Sequence, residues 1–151
     1  MTTANIGAAR RALIAAVLDR LVPAGDGFPG AGEAALDHVV DVLQRDEPTA
    51  ALLREAFDAI TIAATAQGAS SFATLPGAEQ DALLRQIEAA QPARFDALLV
   101  HTYGGYYSNP AVLRVLGRDP HPPQPHGYRL EPTDLRLIER VGQQEPFWRQ
   151  A

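Results

Sequence analysis

Apolar residues recur along this chain at the spacing of one helix face, and proline or glycine stands at each break. Leu13, Val17 and Leu21, with Ile14 and Leu18 beside them, predict a first amphipathic helix over about Ala4 to Val22. Leu36, Val39, Val40 and Leu43 predict a second over about Ala31 to Arg45. Pro48 then suits a new start, because a first-turn residue needs no N–H. Leu53, Phe57, Ile60 and Ala64 line a third helix ending near Gly68. After the loop GASSFATLPG, a fourth runs from about Gly77 to Ala90, with Leu83, Leu84 and Ile87 inward and Glu79, Asp81, Arg85 and Glu88 outward. Pro92 opens a fifth. No window alternates apolar and polar residues as a half-buried strand does, so the expected fold is all-α, a compact bundle of five to seven helices.

The fifth helix departs from the pattern. Phe95, Leu98, Leu99, Thr102 and Tyr106 make an ordinary core stripe, but Val100, Tyr103 and Tyr107 lie well round from it. A helix apolar over so much of its circumference is central or covered by something else. It also carries Gly104 and Gly105, each costing ~1 kcal/mol relative to alanine. Two adjacent glycines suggest that another backbone or a ligand approaches closely. Tyrosine joins a large apolar area to one hydroxyl, a combination suited to interfaces, so Tyr103, Gly104, Gly105, Tyr106 and Tyr107 are candidate partner contacts. Internal packing of all three rings is the alternative.

Asn109 before Pro110 reads as a cap and first turn, giving a short sixth helix to Leu116 with Gly117 beyond it. Residues 118–128, RDPHPPQPHGY, hold four prolines and form a stiff strap. Pro122, Pro123 and Tyr128 on it are further candidate contacts, since a stiff segment docks at low entropic cost. Helical spacing returns at Leu135, Ile138 and Val141, and Phe147 and Trp148 in the tail either fold back or anchor a partner. One domain is expected over 1–151: a core bundle at 4–117, a proline-rich loop at 118–130, and a C-terminal helix and tail at 131–151.

Composition then removes possibilities. Without cysteine there is no disulfide, thiolate metal site or cysteine nucleophile. A net charge of -5 argues against a nucleic acid or an anionic membrane as the main partner. No segment reaches the ~20 apolar residues of a membrane span. Arg10 and Arg11 precede an apolar run, but Asp19 and Arg20 end it and its spacing is helical, so no export signal is read there.

Candidate chemistry is sparse. Gly25 to Gly30, GDGFPG, has G-x-G-x-x-G spacing, yet it follows a helix and places Asp26 where a phosphate would sit, so a tight turn between helices is expected. Of the four histidines, His38 is expected to be partly buried beside its helix's apolar stripe, and His121 and His126 stand ~15 Å apart if the strap is extended. No metal site is expected. His101 is the one general-base candidate, but Ser108 lies roughly 10 Å along the axis, too far for a direct hydrogen bond. Asp119 or Glu131 would have to complete such a site through folding. A stand-alone enzyme or small-molecule binder using His101 and the neighbouring tyrosines stays as the alternative to a binding subunit.

Four stretches together carry a resemblance: LVPAGDGFPGAG (Leu21 to Gly32), SSFATLPGAEQDALLRQIE (Ser70 to Glu88), FDALLVHTYGGYYSNPAVLRVLG (Phe95 to Gly117) and PHGY (Pro125 to Tyr128). Over about Ile6 to Tyr128 the chain resembles the gluconate 2-dehydrogenase subunit 3 family, small subunits of flavin-dependent oxidoreductases of the glucose-methanol-choline type. The resemblance implies a non-catalytic helical chain that binds and stabilises a larger FAD-carrying subunit acting on sugars or related alcohols, sometimes with a cytochrome as electron acceptor. It implies no cofactor in this chain. Many members carry a twin-arginine export signal; with none read here a cytoplasmic complex is expected, or a periplasmic one if the chain has been trimmed at its start.

Overall fold

The computed structural model describes residues 6–45 and 48–118, with Arg136, Glu139, Gly142 and Gln143 beyond them. Residues Met1–Pro120 group into one compact unit and His121–Ala151 into another. In the second unit Arg136, Glu139 and Gly142 are helical and exposed.

The described residues of the first unit form seven α-helices: α1 Ala8–Leu21, α2 Ala31–Ala34, α3 Leu36–Gln44, α4 Pro48–Ala66, α5 Gly77–Ala90, α6 Pro92–Ser108 and α7 Pro110–Val115. No strand forms among the described residues; a single bridge joins Gly25 and Phe28. The all-α expectation holds.

Each apolar stripe faces one core. Ile14, Val17 and Leu18 of α1, Val39 of α3, Leu53, Phe57 and Ile60 of α4, Leu83 of α5 and Leu98 of α6 are fully buried. Each such side chain stabilises the fold by roughly 1.5–3 kcal/mol through loss of apolar surface from water. The GASSFATLPG segment does more than connect: its Phe72, on a 3₁₀ turn at Phe72–Thr74, is wholly buried in the same core. Gln80 Nε2 of α5 donates to the Phe72 carbonyl at 3.1 Å, which holds that turn in place.

The predicted second helix is two. Ala35 (φ -111°, ψ -9°) separates α2 from α3, and it is fully buried under α6. The start of α2 is fixed by Asp19 of α1, whose Oδ1 accepts from the Gly32 N–H at 2.7 Å. A side chain at Gly30 or Gly32 would run into that carboxylate. At the other end Arg54 Nη1 donates to the Leu43 carbonyl at 2.8 Å, satisfying one of the acceptors that the end of α3 leaves open.

Ion pairs lace the surface. Arg20 of α1 makes two 2.6 Å contacts to Asp81 of α5, Arg94 of α6 meets Glu55 of α4 at 2.7 Å, and Arg10 reaches Asp58 at 2.8 Å. Such exposed pairs are worth little individually, about 0–1 kcal/mol, so register comes from the core.

Helix α6 occupies the centre. It packs on α2, α3, α4, α5 and α7, which accounts for its apolar residues on more than one side. Among the described residues one strip of it is exposed, and that strip carries the candidate site.

Candidate functional site

On the 100° wheel, Val100, Tyr103, Gly104 and Tyr107 share the side of α6 that faces away from the core. Val100 is 65% exposed, Tyr103 43% and Tyr107 54%. Gly104 between them is exposed as well. Their rings are ordered by contact: Tyr103 stacks on Tyr107 with centroids 6.2 Å apart and planes 27° apart. Tyr107 in turn meets Tyr106 edge to face at 5.3 Å and 89°. Pre-ordered aromatic area of this kind loses little entropy on contact with another surface.

The other two residues of the predicted cluster face inward. Gly105 is buried against α3, where an added Cβ would stand 2.9 Å from the His38 Cβ and 3.1 Å from the Ala35 Cβ. The close approach expected at the glycine pair is therefore made at Gly105 by the chain's own helix. Tyr106 is only 4% exposed, and its hydroxyl donates to the Pro29 carbonyl at 3.0 Å. Desolvation by burial, and then the neighbouring Tyr107, raise the Tyr106 phenol above its ordinary pKa. Gly104 keeps open space: a Cβ there would meet only His38 Nε2, at 3.9 Å.

His38 is exposed rather than partly buried, because the face of α3 beside Val39 lies over the outer edge of α6. Its Nε2 lies 3.3 Å from the Nδ1 of His101, within a single hydrogen bond. The general-base candidate thus faces another imidazole, and Ser108 is exposed at the far end of the helix. Among the described residues no group of three or more His, Cys, Asp or Glu is placed to hold a metal ion.

Asn109 performs two tasks at the corner between α6 and α7. Its Oδ1 accepts from the Ala111 N–H at 2.8 Å as the cap of α7, and its Nδ2 donates to the Ala34 carbonyl at 2.9 Å. This corner presents Val115 and Leu116, each 45% exposed, which the pattern of the sequence did not single out.

GDGFPG forms a hairpin turn. Gly25 and Phe28 exchange backbone hydrogen bonds of 3.2 and 2.8 Å, with Asp26 (φ 51°) and Gly27 (φ 82°) both left-handed at the tip. That is the two-residue turn for which Asp-Gly is suited. Helix α1 rather than a strand leads into it and the four-residue α2 comes next, so the segment is not a dinucleotide loop. Pro122, Pro123, Tyr128, Phe147, Trp148, His121, His126, Asp119 and Glu131 lie outside the described residues.

A family model described as gluconate 2-dehydrogenase subunit 3 matches residues 8–117, the span of all seven helices. Neither a curated protein nor a solved structure matches the chain. No helix among the described residues is long and apolar enough to cross a membrane.

Proposed function

From the premise that the chain belongs to the gluconate 2-dehydrogenase subunit 3 family, we propose that it is a non-catalytic accessory subunit that binds and stabilises a larger FAD-dependent sugar or alcohol oxidoreductase of the glucose-methanol-choline type. The observation that carries this is the uncovered strip of α6, where Val100, Tyr103 and Tyr107 stand exposed around Gly104 on a helix otherwise central to the fold. Exposed aromatic rings beside a position free of side-chain bulk suit a protein surface: the rings supply contact area and the glycine allows a backbone close. The FAD belongs in the larger subunit, with a cytochrome as the acceptor of its electrons. The complex is cytoplasmic in this reading. His101 turns toward His38, which gives the stand-alone enzyme reading no observation of its own.

Co-expression of this chain with a FAD-dependent oxidoreductase of the glucose-methanol-choline type from the same organism, followed by affinity purification on this chain, tests the proposal. The expected eluate holds both chains and the visible absorbance of bound flavin. Recovery of this chain alone, with the flavoprotein equally soluble and active in its absence, overturns the proposal.

A further inference from the structure

Beside the aromatic strip lies an open groove of about 390 Å³, between the Gly25–Phe28 hairpin and the corner that ends α7. Val22, Pro23, Phe28, Tyr107 and Leu116 give it apolar walls. Among the described residues Asp26 is the one acidic side chain lining it, and it makes no ion pair with any other of them. The turn sets where that carboxylate stands. Left-handed backbone at both tip positions restricts the first to Asn, Asp or Gly, and aspartate alone of these brings a charge.

We infer that this groove receives one apolar side chain of the flavoprotein subunit, with a Lys or Arg of the same segment placed against Asp26. The inference rests on the accessory-subunit reading and adds where the partner is gripped and by what. Charge complementarity selects the cation: a carboxylate on the wall of an apolar groove repels an acidic segment and leaves a neutral one without benefit from the charge. Continuity selects the partner, because Tyr107 belongs to both the aromatic strip and the groove wall, so a chain lying along α6 runs into the groove. The apolar group fills a volume that is too open at the surface to enclose a small molecule but is large enough for an aromatic or long aliphatic side chain. Strip and groove together would fix the partner's position along α6 as well as its contact with it.

The test measures the affinity of the full-length chain for the purified flavoprotein subunit at low and high salt. Asp26→Asn keeps a residue that tolerates the left-handed turn and removes the charge. It is expected to weaken binding about threefold at low salt and to flatten the salt dependence. Leu116→Arg, at an exposed helix end, is expected to weaken binding tenfold or more, roughly what loss of a buried apolar anchor costs. Ile62→Arg on α4, outside both strip and groove, serves as the control and leaves binding unchanged. Wild-type affinity in both groove variants, in a complex that does form, overturns the groove and leaves the accessory role standing. Self-association of this chain that Leu116→Arg abolishes, with flavoprotein binding intact, gives the groove to a second copy and also overturns the inference. No complex with the wild-type chain overturns both.

Discussion

The hydroxyl of Tyr106 donates to the carbonyl of Pro29 across 3.0 Å, tying the end of α6 to the loop that enters α2. The same side chain carries the edge of the core, so one residue links the hairpin, the short helix and the aromatic strip. Tyr106→Phe keeps the packing and deletes the donor, leaving the Pro29 carbonyl without it. The expected loss is about 1 kcal/mol, read as a lower urea midpoint at unchanged slope.

Alkaline titration reports on the same ring. Burial, followed by the proximity of Tyr107, raises the Tyr106 pKa above the usual value of about 10. A raised pKa in the folded state means that its contribution to stability is whole below the unfolded value and is lost as pH climbs through the folded one. Ultraviolet titration of the folded chain should show a phenol ionising above the ordinary tyrosine range, and that component should be missing in Tyr106→Phe.

Adjacent glycines should respond with opposite sign. Gly105→Val drives a branched side chain into His38 and Ala35, and overpacking of this kind costs about 1–3 kcal/mol even after helix propensity is regained. Gly104→Ala enters open space and recovers about 0.5–1 kcal/mol of helix propensity. Thermal melts of the two variants should therefore move in opposite directions.

Much of this fold could be read from the chain because its helices announce themselves. The limits of α5 agree with those drawn from the pattern, and α6 does start at Pro92, because proline and glycine fix ends through local geometry. Ala35 gives no such signal. Alanine is the best helix former, so a break at a buried alanine is dictated by packing under α6 and is invisible to propensity. The glycine pair read as one feature for a similar reason: the wheel separates Gly104 from Gly105 by 100°, but only the placement of α3 decides which of them faces a neighbour. Leu116 and Asp26 were not distinguishable from other surface residues, since their groove depends on the hairpin and the α7 corner meeting in space.

At acid pH the Arg20 to Asp81 pair should report. Hydrogen bonding to Arg20, then the charges of Arg20 and Arg85, outweigh desolvation and hold the Asp81 carboxyl below its usual value. Its contribution is present above the unfolded pKa, about 4, and disappears as pH falls through the lowered folded value. The stability difference between wild type and Asp81→Asn should be flat from about pH 5 to 8 and shrink below pH 4, measured by urea denaturation across that range.

Gly104→Leu puts a branched aliphatic group into the middle of the uncovered strip without touching the core, since only His38 Nε2 comes within 4 Å of the position. Co-purification of this variant with the flavoprotein subunit, beside circular dichroism of the chain alone, is the most direct measurement of docking on α6. Loss of the flavoprotein from the eluate with helix content unchanged is the predicted result. Recovery of both chains at the wild-type ratio would contradict it.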